Sequence, residues 1–254
     1  MSRTDLHLLI PDAGDLSGKA VLVTGGTTGI GRATARLLAA QGARVLTFGR
    51  DGEELDAALA EIRDAGGEAH GITADVSRVE DVRRVFAEVD RRLGGLDVLV
   101  NNAAVSGESF QEQSLEEIDY VVRTNVVGYL AVAHEAVRRM KERGGGHVVL
   151  VGSMSAGLRE EGEGTYVATK AAIRAFAESL RKTVNEEGIK VTLVEPGKVA
   201  TDMVDKDREE KEEAIAGLEM LTPEDVAGSI LYTLLQPERC DVVSIQIRPH
   251  RQVI

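Results

Sequence analysis

The 254-residue sequence has one cysteine, no surplus of basic charge and no long hydrophobic run, and each lack closes off a class of protein. Cys240, the single cysteine, excludes an internal disulfide and a thiolate-built metal centre, and it fits a reducing compartment. As a small residue near a β-rich run it reads as structural. His70, His134, His147 and His250 are scattered and His7 lies in the N-terminal leader, so no metal site is indicated. Acidic residues outnumber basic ones 42 to 30 for a net charge of -12, and no Lys/Arg cluster stands out. Such a balance argues against nucleic acid or an anionic membrane surface as partner. Residues 1–17 read as a leader whose apolar run, Leu8-Leu9-Ile10, stops at Pro11. That run is too short for a signal-peptide core, and no later stretch reaches membrane-spanning length, so a cytoplasmic location is expected.

What is present is alternation. Short apolar runs, AVLVT (20–24), RVLTF (44–48), EAHGI (68–72), LDVLV (96–100), HVVLV (147–151), KVTLV (190–194) and VVSIQI (242–247), give seven candidate strands. Between them lie stretches of helical period such as RATARLLAAQG and VEDVRRVFAEVDRRLGG, several ending in glycine as a helix C-terminus should. Continuous apolar strands separated by helices predict a doubly wound, Rossmann-type α/β fold: a parallel seven-stranded sheet with helices on both faces. With 43% apolar residues and no linker, residues 18–254 are expected to form a single domain. The glycines at 66–67, 94–95 and 144–146 fall at helix-to-strand turns.

Function enters with TGGTTGIG at 24–31, placed to follow the first strand and open the first helix, where backbone N–H groups and the helix dipole can hold a pyrophosphate. Its spacing differs from G-x-G-x-x-G, and alone it is equally a plain strand-to-helix turn. Further on stand NNAA (101–104), Asn125 in TNVVG, Ser153, and Tyr-Val-Ala-Thr-Lys at 166–170. Singly these too have ordinary readings, since a helical Tyr with Lys at i+4 is common and Ser in a Gly-Ser turn commoner. Together, and in this order, they resemble the short-chain dehydrogenase/reductase family from about Gly18 to the C-terminus. NNAA departs from the family's Asn-Asn-Ala-Gly only at Ala104.

The resemblance implies an oxidoreductase that interconverts a secondary alcohol and a ketone or aldehyde, with Asn125, Ser153, Tyr166 and Lys170 as the catalytic set. Hydride transfer to a carbonyl leaves an alkoxide that needs a proton, and Tyr166 is expected to exchange it. A tyrosine ordinarily titrates near ~10, so Lys170, on the same helical face, is expected to favour the phenolate. Ser153 would hydrogen-bond the oxyanion, Asn125 would hold a water linking Lys170 to solvent, and Lys170 would also hold the nicotinamide ribose. Cofactor contacts are implied for Gly25, Thr27, Thr28, Gly29, Ile30 and Gly31, for Asp75 and Val76, for Asn102 and Ala103, and for Pro196, Gly197, Val199 and Thr201.

The choice between coenzymes rests on Phe48-Gly49-Arg50-Asp51 at the end of the second strand. An acidic residue there binds the ribose 2′-OH of NAD, whereas an arginine suits the 2′-phosphate of NADP. The family's NAD-selecting position is occupied by Gly49, and Arg50 follows, so NADP(H) is expected over NAD(H). Asp51 can instead cap the next helix, as Asp75 or Ser77 can cap the one after.

Residues 154–165 and a lid at about 200–217 are expected to set substrate choice, with Glu160, Glu161 and Glu163 read chiefly as solvated charge and Asp205 to Glu213 as an exposed helix with pairs such as Asp207 with Lys211. A small carbonyl or alcohol compound is the expected substrate. The alternatives are a 3-oxoacyl-thioester reductase of the same family and, outside catalysis, an NADP-sensing binding protein. The family commonly forms dimers and tetramers, so a homo-oligomer, here a homotetramer, is expected.

Overall fold

A computed structural model describes residues 14–204 and 206–252. The run Leu8-Leu9-Ile10, His7 and Asp205 therefore lie outside the described residues. Seven strands, β1 (Ala20–Thr24), β2 (Arg44–Gly49), β3 (Glu68–Thr73), β4 (Val98–Asn101), β5 (Gly146–Val151), β6 (Ile189–Pro196) and β7 (Ser244–Ile247), form one sheet in the order β3-β2-β1-β4-β5-β6-β7. Every neighbouring pair is parallel, as a doubly wound fold requires. The chain reverses direction across the sheet between β1 and β4, and the crevice at their carboxyl ends is where such folds bind ligands.

Alternate residues of each strand feed two separate cores. Leu22, Leu46, Leu99 and Leu150 point to one, Val21, Val45, Val100 and Val151 to the other. Unbroken apolar runs thus reflect burial on both faces. The first core is closed by α3 (Val79–Leu93), α5 (Tyr129–Glu142) and α7 (Gly164–Val184), through side chains such as Phe86, Val132 and Ile173. The second is closed by α1 (Gly29–Ala40), α2 (Gly52–Asp64) and α9 (Pro223–Leu234), through Leu38, Ile62 and Ile230. Burying each of these larger side chains stabilises the fold by roughly 1.5–3 kcal/mol. Helix α3 shows the logic: Val82, Val85, Phe86, Val89 and Leu93 recur on one face, and the helix stops at Gly94, whose φ of 70° suits glycine. Three further helices, α4 (Leu115–Val122), the single turn α6 (Ser155–Leu158) and α8 (Arg208–Ala216), lie at the carboxyl edge or its approaches. Among the described residues no helix is long and apolar enough to cross a membrane, and no cluster of His, Cys, Asp or Glu is placed to hold a metal ion.

Several boundaries depart from the sequence pattern for local reasons. Leu96 and Asp97 precede β4: Leu96 is fully buried, and the Asp97 carboxylate accepts the Ala20 N–H at 2.7 Å. Val242 and Val243 stay outside β7, the Val242 carbonyl accepting the Thr192 hydroxyl at 2.7 Å. The long helical stretch after Ser114 is broken by a π-helical turn, Arg123–Gly128, between α4 and α5. Gly128 ends that turn, and a Cβ there would come within 2.6 Å of the Val76 carbonyl oxygen, so the close approach requires glycine. Asp51 caps α2 by accepting from Glu54 N–H, but neither Asp75 nor Ser77 caps α3, whose N-cap is Arg78. Asp207 is not paired with Lys211; it caps α8 reciprocally with Glu210, and the ion pair on that helix joins Arg208 to Glu212 at 2.7 Å.

At the opposite end of the sheet, His147 is 9% exposed and its Nε2 lies 2.8 Å from Thr192 Oγ1. Because the Thr192 hydroxyl donates to Val242, the network assigns the imidazole proton to Nε2, which donates. Burial pulls this histidine down from 6.5 to about 4, helped by the positive charge of Lys190 and opposed by Asp241. The unfolded chain therefore binds a proton that the folded chain refuses. The stability tied to this site is complete above about pH 6.5 and is lost as the pH falls toward 4, on the order of 3 kcal/mol in all. Urea unfolding followed from pH 7 to 4.5 should show this loss, and His147→Gln, which keeps an N–H for Thr192, should remove its share of the slope. An unchanged slope in the variant would show that His147 does not carry it.

Candidate functional site

The glycine turn is shaped by contacts that no side chain can share. A Cβ on Gly25 would lie 2.9 Å from Ala103 Cα, and one on Gly31 would lie 2.7 Å from Asn102 Nδ2 and collide with the Gly25 carbonyl. Gly25 and Gly29 also take positive φ, 63° and 49°. The result brings the N-terminus of α1 against the end of β4. Thr28, the N-cap residue, makes no side-chain cap bond, and the first turn of α1 carries no acidic residue. By contrast α2, α3, α4, α8 and α9 each carry two acidic residues there. The N-terminus of α1 is thus left electropositive, with N–H groups available to an anion.

Two adjoining cavities open at this edge. One, of about 560 Å³, is lined by Gly25, Thr27, Thr28, Gly29 and Ile30, by Arg50, Asp75 and Val76, and by Asn102 and Ala103. The other, of about 470 Å³, is lined by Ser153, Tyr166 and Lys170 and by Pro196, Gly197, Val199 and Thr201. Ile30, Asn102 and Thr201 border both, so the two make one elongated crevice. Of the expected residues, Gly31 and Asn125 line neither cavity: Gly31 acts through backbone packing, and Asn125 lies behind the wall. Thr124 Oγ1 is a buried hydroxyl with no partner, on a residue that lines the larger cavity. An extended polar ligand with an anionic centre fits this lining: a bare helix N-terminus, an orphan hydroxyl and Arg50 serve one half, and the Ser-Tyr-Lys group serves the other.

Ser153 follows β5, and its loop is fixed by Gly152 N–H to the Val194 carbonyl at 2.8 Å and Met154 N–H to the Pro196 carbonyl at 3.0 Å. Tyr166 and Lys170 project from α7 and line the same cavity wall as Ser153, whose hydroxyl accepts from Ser155 N–H at 3.1 Å. Burial pushes the Tyr166 phenol up to about 12; the polar side chain of Ser153 pulls it the other way, and the carboxylates of Glu163 and Glu160 add to the rise. The expected lowering by Lys170 is not found. Lys170 is 3% exposed, its Nζ donates to the Val151 carbonyl at 3.2 Å, and it stands 5.6 Å from the ring centroids of both Tyr166 and Tyr129. Burial draws the ammonium itself down to about 8.

Asn125, in the π-helical turn, is fully buried and committed to protein atoms. Its Oδ1 accepts from Val105 N–H at 2.9 Å, and Nδ2 donates to the Val105 carbonyl at 2.8 Å and to Thr169 Oγ1 at 3.2 Å. Thr169 in turn donates to the Tyr166 carbonyl at 2.8 Å. Asn125 thereby braces the helical turn that carries both Tyr166 and Lys170.

Sequence reasoning passed over several residues. Thr24, the first letter of the glycine motif, accepts the N–H groups of Asn102 and Ala103 through its hydroxyl, both at 2.8 Å. The Tyr129 hydroxyl lies 2.5 Å from the Asn101 carbonyl and 2.7 Å from that of Val151. Glu195, 3% exposed, accepts from Arg174 at 2.7 Å and from Gln246 at 3.0 Å, which ties α7, β6 and β7 beneath the Ser153 loop. Tyr120 lines the larger cavity beside Arg50. Only Thr24 had a signal, its place in the motif; the others act through partners distant in sequence.

The comparisons with known proteins agree with this geometry. The family model described as short chain dehydrogenase matches residues 19–212. An uncharacterized oxidoreductase of Staphylococcus haemolyticus is 31% identical over 92% of this chain and 99% of its own length. A 3-oxoacyl-[acyl-carrier-protein] reductase of Aquifex aeolicus is 33% identical over 85% of this chain and 90% of its own. Among solved structures, a short chain dehydrogenase from Burkholderia cenocepacia, crystallised in complex with NADP, superposes with a TM-score of 0.82 at 30% identity, covering 93% of this chain and 98% of that one. With the family model spanning most of the sheet and relatives matching nearly end to end, the chain belongs to the short-chain dehydrogenase family and is an NAD(P)-dependent oxidoreductase.

Proposed function

We propose that the protein reduces the ketone or aldehyde of a small or medium-sized compound, and oxidises the matching alcohol, with NADP(H) as coenzyme. The observation that carries this reading is that Ser153, Tyr166 and Lys170 share the wall of a cavity of about 470 Å³, with Lys170 Nζ 5.6 Å from the Tyr166 ring centroid. The nicotinamide supplies or accepts the hydride. Tyr166, held as a neutral phenol by its burial, is the proton donor to the developing alkoxide. Ser153 hydrogen-bonds the same oxygen and aligns the carbonyl. Lys170, drawn into the neutral range, returns the proton to Tyr166 and binds the ribose next to the nicotinamide. Asn125, expected to be catalytic, serves as the positioning residue of that helix.

The larger cavity takes the adenosine half, with the pyrophosphate over Gly25–Gly31, Asp75 and Val76 at the adenine, and Arg50 at the 2′-phosphate. Two facts support NADP over NAD. A Cβ at Gly49 would lie 2.7 Å from Thr27 Oγ1, so a carboxylate at that position would have to displace the Thr27 side chain, and the Asp51 carboxylate is engaged in capping α2. Met203, Val204 and Ala214 from the lid region, about 200–217, wall the smaller cavity and bound the substrate, within a single domain running from about residue 18. The exposed Val122, Val127 and Leu130 support pairing of copies through α4 and α5. The similarity to the Aquifex aeolicus reductase favours a second reading, a 3-oxoacyl thioester as substrate.

Tyr166→Phe should lower carbonyl reduction at least about a hundredfold while coenzyme binding persists; near wild-type turnover in a folded variant would overturn the assignment. Assayed on a panel of ketones, keto esters, sugars and acyl thioesters, the wild-type protein should oxidise NADPH with the free carbonyl compounds. Reaction with carrier-linked thioesters alone would select the second reading. For the coenzyme, Arg50→Ala should cut the ratio of kcat/KM for NADPH over NADH by about tenfold or more, and an unchanged ratio would sink the NADP assignment.

A further inference from the structure

Arg50 is an exposed side chain on the turn between β2 and α2, and a free arginine there would wander. Here it does not stand alone. Its Nη1 donates to Tyr120 Oη at 2.5 Å, and its guanidinium carbon stands 5.8 Å from the centroid of the Tyr120 ring. The Tyr120 hydroxyl in turn reaches Asp75 Oδ2 at 3.4 Å. A phenol has one proton, so the direction of this chain is fixed: Tyr120 accepts from the arginine and donates to the carboxylate. Asp75 is itself anchored, its Oδ1 accepting from Ser77 N–H at 2.9 Å. Three separate elements, the turn after β2, the turn after β3 and helix α4, thus meet at the rim of the larger cavity, and all three residues line it.

We infer that Tyr120 is a positioning residue for recognition of the 2′-phosphate: it holds Arg50 over the adenosine half of the crevice and couples it to Asp75. An arginine side chain has much rotamer entropy to lose, and a stacked, hydrogen-bonded guanidinium has already lost part of it before the ligand arrives. Nη1 is engaged by Tyr120, and the other N–H groups of the fork remain to meet a phosphomonoester. The effect is selective, since a ligand without the 2′-phosphate makes no use of the fork.

This inference rests on the proposed use of NADP(H), and the experiment separates the two. Binding of 2′,5′-ADP and of 5′-AMP is measured by titration calorimetry on the wild-type protein, Tyr120→Phe, Arg50→Ala and the double variant. Tyr120→Phe should weaken 2′,5′-ADP about tenfold and leave 5′-AMP within about twofold, as expected for loss of a hydrogen bond to a charged group. In the Arg50→Ala background the same substitution should add nothing, because its effect runs through the arginine. Equal weakening of both nucleotides, or no weakening of either, would overturn the role of Tyr120. If Arg50→Ala abolishes discrimination while Tyr120→Phe preserves it, Tyr120 alone falls. If Arg50→Ala leaves discrimination intact, the NADP reading falls and Tyr120 with it.

Discussion

A single phenol proton shared between two strand ends sets the level of the whole functional edge. The Tyr129 hydroxyl, fully buried, sits between the last carbonyls of β4 and β5, and the side-chain amide of Asn101 donates back to the Tyr129 carbonyl at 3.0 Å. Its burial drives the phenol far above the ordinary tyrosine range, so it stays neutral and remains a donor. Everything that lines the crevice is suspended from this level. Asn102 leaves β4 one residue beyond the tie, Ser153 leaves β5 two residues beyond it, and Lys170 donates to the same Val151 carbonyl. On the other side of β4, Thr24 fastens the glycine turn to Asn102 and Ala103. Hydride and proton chemistry tolerate little misplacement of the reacting groups, and these ties fix their relative height before any ligand binds.

How far the sequence discloses this depends on the range of each interaction. Strand and helix order were legible because burial on both faces of a parallel sheet leaves unbroken apolar runs, and α3 or α7 shows its period without ambiguity. The grouping of Ser153, Tyr166 and Lys170 followed from motif order, and the structure brings them to one wall. The phenol's acidity did not follow. Spacing puts Lys170 on the face of Tyr166, yet how deeply both are buried, and that the ammonium turns to Val151, are tertiary facts. Asn125 was placed on a helical segment, but its bonds to Val105 and Thr169 were not legible, because the π-helical turn that carries it and the partners it meets there are tertiary facts.

Charge offers a related lesson. A chain of net charge -12 is an unpromising receptor for a polyanion when only the total is considered. Yet many of the carboxylates sit in the first turns of α2, α3, α4, α8 and α9, where they answer the helix dipole. Helix α1, which opens at the glycine turn, carries none there, so its N-terminus keeps its positive end for an anion. Recognition here is a matter of local arrangement, and bulk charge governs solubility and little else.

The contact between Gly49 and Thr27 bears on how such a protein can change its coenzyme. A carboxylate at position 49 requires a Cβ, and that Cβ meets the Thr27 side chain before it reaches any ribose. Thr27 belongs to the turn that also shapes the pyrophosphate seat. Conversion toward an unphosphorylated dinucleotide by an acidic residue at position 49 is therefore coupled to the glycine turn, because the Thr27 side chain must shift or shrink to admit it. An evolutionary or engineered path between the two coenzymes that uses position 49 thus involves two positions together, joined by one threonine methyl and hydroxyl.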